Sequence, residues 1–168
     1  LYKSTNNKEK LQKILRSLFF SMRTFNIELY NEYKSYFSND EWKTEIESLL
    51  QESSRFEFEI LYEEKMYDDL YVAVEKTYKK YGGSNYIKEY AAVLMPKYAN
   101  QLAEMFVKAL EKNIENLRNR DDYRCFAKDL KFLAKNLTAF EKASELRQKW
   151  LVEYKRKSAL CEELRWAF

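Results

Sequence analysis

The sequence predicts an all-α protein, and three observations carry this prediction. The 168 residues include 2 glycines and 1 proline, too few for the turns of an all-β or α/β chain. Hydrophobic residues make up 46% of the chain, which excludes general disorder. Apolar residues recur at steps of three and four in nearly every segment, as in helices with one buried face. We therefore expect about nine helices of roughly 10–20 residues on short loops.

The first part of the chain contains recognisable helix starts. Lys8–Phe20 carries a helical apolar stripe, for which Asn7 is the expected N-cap. We expect a break near Thr24–Asn26 before the pattern continues. Ser38 and Glu41 then fit a capping box, in which each side chain bonds the backbone N–H of the other residue.

The clearest element runs from Pro96 to Leu117, where apolar residues form one stripe over about five helical turns. Pro96 fits the first turn of a helix, where its missing N–H is no loss. The preceding helix is expected to open at Ser84 or Asn85 and to end before Pro96. The Gly82-Gly83 pair is the clearest helix stop in the sequence.

Polar residues mark the other expected helix ends. Asp68 and Asp121 are candidate N-caps, and Thr138–Glu141 fits a second capping box. The basic run Lys155-Arg156-Lys157 is expected to close a helix, where positive charge favours the negative end of the dipole. Ser158 then opens a last short helix.

Amphipathic helices in series predict antiparallel hairpins stacked in a tetratricopeptide-like superhelix, with a compact multi-helix bundle as the alternative. Residues 1–168 are expected to form a single α-helical domain, of which residues 54–168 are the repeat-like part. Because the chain begins at Leu1 rather than Met, we expect it to be a fragment of a longer chain.

Several segments of the repeat-like part also carry a family resemblance. They are Leu61–Leu70 (LYEEKMYDDL), Tyr86–Tyr90 (YIKEY), Asp122–Arg124 (DYR) with Leu130–Leu133 (LKFL), and Trp150–Leu164 (WLVEYKRKSALCEEL). Residues 54–168 resemble the helical C-terminal region that follows the zinc finger in bacterial SWIM zinc-finger proteins. The resemblance implies a tetratricopeptide-like scaffold. It does not extend to zinc, because the family's Cys-x-Cys and Cys-x-His signature is absent.

The chain has 0 histidines, which removes the usual general base and most transition-metal sites. We therefore expect no enzyme activity, cofactor or metal. The remaining alternative is an acidic metal site around residues 54–70, where Glu59 and Glu63 share a helix face. Cys125 and Cys161 are expected to be buried free thiols in a reducing cytoplasm. No apolar run is long enough to predict a membrane span.

The net charge is +3, and the excess of basic residues lies in residues 121–168. Lys155, Arg156, Lys157, Arg165 and Trp166 form the expected basic binding surface there. We predict a non-catalytic helical scaffold that binds a protein partner or the remainder of its parent chain, with Tyr, Phe and Arg as contact residues. The alternative is an accessory nucleic-acid-binding domain that uses this basic end, with Trp150 and Tyr154 as possible stacking residues. The oligomeric state is left open.

Overall fold

The structure is a computed structural model that describes residues 5–52 and 55–168. These two ranges are mainly helical, with turns and loops between the helices, and contain no β-strand, which confirms the all-α prediction. The described residues form nine α-helices: α1 Thr5–Ser21, α2 Ile27–Lys34, α3 Asn39–Glu52, α4 Glu57–Glu63, α5 Tyr67–Tyr81, α6 Asn85–Asn113, α7 Arg120–Lys135, α8 Phe140–Glu153 and α9 Ser158–Arg165. A 3₁₀ turn at Ile114–Asn116 follows α6. The chain divides into two compact units, Leu1–Met66 and Tyr67–Phe168, and each is described by itself.

The first unit is built around an aromatic core. Phe19 of α1 is 0% exposed and packs on Phe56, with ring centroids 5.2 Å apart. Tyr30 of α2 packs edge-on against Trp42 of α3 at 5.5 Å. Because aromatic rings bring large areas out of water and prefer such tilted pairs, four short helices can share one compact core.

In the second unit, α7 lies at the centre of the packing. It contacts α6, α8 and α9, while α5 packs on α6. Leu130 and Leu133 of α7 are both 0% exposed, and Trp150 of α8 is 1% exposed. Trp150 is therefore a core residue and is not available to stack on a ligand.

The predicted helix boundary at Pro96 is wrong in its position. The helix α6 continues through Pro96, and its one non-helical residue is Tyr98 (φ −120°, ψ 22°). Pro96 cannot donate an N–H to the carbonyl of Ala92, which weakens the helix here without ending it. The proline thus marks a kink inside a helix rather than the start of a new one.

The residues around this kink are held by α5. The ring of Tyr98 stacks on Tyr71 with centroids 3.9 Å apart and planes 7° from parallel. The Tyr98 hydroxyl and the Lys97 ammonium both donate to Asp68, at 2.8 Å and 2.6 Å from its Oδ1. These hydrogen bonds hold the pKa of the Asp68 carboxyl below its ordinary value. Asp68 lies in the first turn of α5 and binds Lys97 and Tyr98, so its prediction as an N-cap is wrong.

Three predicted helix boundaries are confirmed. Asn26 caps α2, with its side-chain oxygen 2.9 Å from the Leu29 nitrogen. Ser38 and Glu41 form the predicted capping box at the start of α3. At the end of α5, Gly82 has a φ of +71°, a conformation that glycine adopts without steric cost.

Three further caps were predicted on the wrong residue. Asn7 lies within α1. Asn119, rather than Asp121, caps α7 and forms a capping box with Asp122. The expected capping box at Thr138 does not form, because α8 begins after Ala139 without a side-chain cap and Thr138 has a φ of +49°.

Candidate functional site

The predicted basic surface begins in the loop after α8. Lys155 and Arg156 are exposed, and neither forms an ion pair with another described residue. The Lys157 ammonium lies 5.2 Å from the centroid of the Tyr154 ring, which is a cation–π contact. We call Lys155, Arg156 and Lys157 the basic loop. Two of its three charges are free to contact a ligand.

Arg165 and Trp166 lie at the opposite end of α9 from the basic loop. Both are exposed, and Trp166 has 80% of its surface exposed. Lys157 precedes α9 and Arg165 ends it, so their backbones are about 12 Å apart along the helix axis. The five predicted residues therefore form two groups that flank α9 rather than one continuous patch.

Acidic side chains dilute the positive charge of this region. Glu162 and Glu163 lie on α9 and bind Arg120, at 2.8 Å and 3.2 Å. Burial, together with the nearby carboxylates of Glu153 and Glu115, raises the pKa of Tyr154. Carboxylates thus lie close to the basic loop, which makes it a weak site for a polyanion.

A second surface lies on α8 and involves the last residue of the sequence. Phe140 is 57% exposed, and its ring centroid lies 5.3 Å from that of Phe168. The Arg147 guanidinium carbon lies 4.5 Å from the Phe168 ring centroid, and Arg147 also donates a hydrogen bond to the Phe168 carbonyl. Phe140 and Arg147 are two helical turns apart, so both reach Phe168 from one face of α8. We call Phe140, Arg147 and Phe168 the aromatic cluster.

A cleft of about 400 Å³ adjoins the aromatic cluster. One wall is formed by Ala99, Asn100 and Ala103 of α6, and the other by residues 137–142, which span the end of the loop after α7 and the start of α8. The small side chains of Ala99 and Ala103 leave the space that a larger residue would fill. Phe140 belongs to both the cleft and the aromatic cluster, which makes the two one continuous surface.

The sequence interpretation missed the aromatic cluster and the cleft. The sequence pattern predicts Phe140 only as part of a capping box and predicts no role for Arg147 or Phe168. A usable signal was the seven-residue spacing of Phe140 and Arg147, which places both on one face of a helix. The contact of Arg147 with Phe168 spans 21 residues, and no local pattern encodes it.

The alternative acidic site concerned residues 54–70, of which residue 54 lies outside the described residues. Two of its carboxylates are engaged by donors, Glu64 in the first unit and Asp68 in the second. Within the described ranges, no group of three or more Cys, Asp or Glu side chains is arranged to hold a metal ion.

The two cysteines differ in burial. Cys161 is 4% exposed, as expected. Cys125 is exposed, so the prediction that it is buried is wrong. It lies on α7 beside the buried Phe126 and on the solvent side of the helix. Both are free thiols.

Comparison with protein-family models, curated proteins and solved structures finds no match to this chain. Among the described helices, none combines the length and the apolar character needed to cross a membrane.

Proposed function

We propose that this chain is a non-catalytic helical scaffold that binds another protein, or the remainder of its parent chain, through the surface formed by the cleft and the aromatic cluster. The observation that carries the proposal is the continuity of this surface through Phe140, which is both exposed and part of the cleft wall. Protein interfaces concentrate binding energy in aromatic and arginine residues beside pockets. A side chain of the partner would enter the cleft while its backbone passes over Phe140 and Phe168.

Contacts within the chain position the side chains of this surface, which supports this role. Arg147 holds Phe168 by a hydrogen bond and a cation–π contact, and Phe168 in turn covers part of Phe140. Binding to a surface that is already fixed avoids part of the entropy cost of ordering side chains. Trp166, two residues before Phe168 and 80% exposed, adds a further aromatic contact residue.

The test is site-specific photo-crosslinking. A photoreactive phenylalanine analogue is placed at Phe140 or Trp166 of the full chain, and adducts are collected from nuclease-treated extract. The matched control position is Val152, which is 73% exposed and lies about 120° around α8 from Phe140. We expect the same protein adduct from positions 140 and 166 and none from position 152.

The crosslinked protein is then purified for an affinity measurement. Trp166→Ala should weaken its binding at least about tenfold, as for interface anchors, without changing the thermal unfolding of the chain. Equal crosslinking at all three positions, or unchanged affinity of Trp166→Ala and Phe140→Ala, would contradict the proposal.

A second candidate function is nucleic-acid binding by the basic end, favoured by the exposed charges of Lys155, Arg156 and Arg165 and the exposed ring of Trp166. Its test is the anisotropy of a labelled single-stranded oligothymidylate across a salt series. Binding that is lost on Lys155→Ala/Arg156→Ala and weakens steeply with salt supports this function. Lys128→Ala/Lys131→Ala on α7, with two exposed lysines, is the charge-matched control.

The scaffold proposal agrees with what the resemblance to the SWIM-associated region implies, a tetratricopeptide-like helical scaffold. We also propose a cytoplasmic location. The free thiol of Cys125 supports it, because an exposed thiol persists best in a reducing compartment.

A further inference from the structure

The outer face of α1 exposes an apolar stripe. Ile14 is 53% exposed and Leu18 is 47% exposed, and Leu11, one turn before Ile14, is partly exposed. The adjoining side of the helix is buried, because Leu15 and Phe19 enter the aromatic core of the first unit. The outer stripe is therefore additional to the face that folding requires.

The geometry of the stripe matches a helix-pairing seam. Leu11, Ile14 and Leu18 follow the three-and-four spacing of a and d positions in a heptad. They cover only about 60° of the helix circumference at 3.6 residues per turn. Such a narrow stripe is typical of a coiled-coil seam, whereas a helix that lies in a membrane surface has a broad apolar face with Trp or Phe. Two shallow grooves, of about 230 Å³ and 470 Å³, follow the stripe and meet at Lys10 and Ile14.

One edge of the stripe is basic. Lys10 and Lys13 are exposed on the same side of Ile14, and neither forms an ion pair with a described residue. The other two basic side chains of α1 are already engaged within the unit: Lys8 binds Glu41 and Arg16 binds Glu45. Glu9 is the only acidic residue of α1, and at 100° per residue it lies on the far side of Lys13 from Ile14.

We propose that this face of α1 binds an amphipathic helix of another protein whose apolar seam is flanked by acidic residues. The apolar stripe would supply the packing, and Lys10 and Lys13 would pair with the carboxylates of the partner. A second copy of this chain fits less well, because antiparallel pairing of two identical helices brings matching edges together and so places the lysines of one copy beside those of the other. The inference concerns the first unit and is independent of the function proposed for the C-terminal surface.

The probes for the test are two designed helical peptides of about three heptads with Leu at a and d. One carries Glu at e and g and the other carries Lys, and both are labelled for fluorescence anisotropy with the full chain. We expect the Glu peptide to bind at least tenfold more tightly than the Lys peptide. Ile14→Ser should weaken binding of the Glu peptide about tenfold, since an exposed contact residue is lost from the centre of the seam.

A second part of the test changes the charge beside the stripe and leaves its apolar residues intact. Lys10→Glu/Lys13→Glu should reverse the preference between the two peptides. Val72→Ser, at an aliphatic residue of α5 that is 57% exposed, is the matched control and should change neither affinity. Circular dichroism should be the same for all variants, because the altered side chains are exposed.

Three results would overturn the proposal. The first is equal affinity for the two peptides, or no binding of either peptide. The second is concentration-dependent dimerisation that Ile14→Ser abolishes, which would make a second copy the occupant. The third is binding to phosphatidylserine vesicles that requires Ile14 while the peptides do not bind, which would assign the face to a lipid surface.

Discussion

The carboxylate of Glu64 accepts hydrogen bonds from side chains of two helices in the first unit. Tyr30 and Lys34 on α2 donate at 2.7 Å and 2.8 Å, and the Trp42 indole on α3 donates at 3.1 Å. Burial alone would raise the pKa of Glu64, but these donors outweigh it and hold the pKa below its ordinary value. Burial and the same carboxylate raise the pKa of Tyr30. Glu64 thus accepts from the polar ends of Tyr30 and Trp42, and Glu45 accepts from the hydroxyl of Tyr33 at 2.6 Å.

We expect Glu64→Gln to lower the free energy of unfolding by about 1–2 kcal/mol at pH 7, because a charged acceptor is replaced by a neutral one. A carboxyl with a depressed pKa stabilises the fold above its ordinary pKa of about 4.3, and this contribution is lost as the pH falls through the depressed value. The difference between wild type and variant should therefore shrink below about pH 4.

The measurement is urea unfolding at several pH values, followed by tryptophan fluorescence. Glu63→Gln is the control, because this neighbour makes the same chemical change at an exposed position. A loss of unfolding free energy that is independent of pH, or an equal loss in Glu63→Gln, would show that the charge of Glu64 does not stabilise the packing of these helices.

The cysteines give a second prediction at the residue scale. Cys125 is exposed, whereas Cys161 is buried and donates to the Tyr154 carbonyl at 3.4 Å. A thiol reagent such as Ellman's reagent should react rapidly with one thiol per folded chain and with both in denaturant. Cys125→Ser should abolish the rapid phase and Cys161→Ser should leave it. Two rapid phases in the wild type would contradict the burial of Cys161.

At the scale of elements, helix ends were predictable where one residue alone dictates the backbone. Gly82 ends α5 because few other residues adopt its positive φ, and Ser38 with Glu41 satisfies free N–H groups reciprocally. Where several polar residues compete, the sequence does not choose between them. Asn119, Asp121 and Asp122 all lie at the start of α7, and only the backbone geometry selects Asn119.

This selection predicts unequal effects of two neighbouring substitutions. Asn119→Ala should cost about 1 kcal/mol, because the Asp122 N–H loses its acceptor at 2.9 Å. Asp121→Ala removes an exposed ion pair with Arg124 and one negative charge from the first turn of α7, and should cost about 0.5 kcal/mol, less than the loss of the cap. Thermal unfolding of both variants measures which substitution destabilises the chain more. A larger loss of stability in Asp121→Ala would contradict the assignment of Asn119 as the cap.

The Gly82-Gly83 pair offers a matched comparison of backbone strain. Gly82→Ala should destabilise the chain by about 1 kcal/mol, because an L-residue is strained at a φ of +71°. A Cβ at Gly82 would also lie 3.1 Å from the flexible end of Lys112. Gly83→Ala meets no atom within 4 Å and should be neutral or slightly stabilising. If both substitutions changed the free energy of unfolding in urea equally, the positive φ of Gly82 would not be the reason that glycine is needed there.

At the scale of the whole molecule, composition and periodicity were enough for the helical class, because each helix must bury one apolar face and the spacing of that face is local. The candidate site was harder to predict. The aromatic cluster depends on the contact between Phe168 and α8, which joins residues that are 21 positions apart. Likewise, the apolar residues of α1 include the buried Leu15 and Phe19 as well as the exposed stripe. Periodicity alone does not show which of these residues are buried.

The second unit should fold when residues 67–168 are expressed alone. Its buried residues come from all five of its α-helices, and Leu70, Leu94, Phe106, Leu130 and Leu164 are each 0% exposed. A domain of about 100 residues buries enough surface to be stable by itself.

In the fragment carrying Trp166→Phe, Trp150 is the only tryptophan, and because it is buried its emission should be blue-shifted in buffer. Urea should shift this emission to the red in one cooperative transition that coincides with the loss of helical circular dichroism. Red-shifted emission already in buffer, or a gradual transition, would show that the core of this unit is not sufficient for folding.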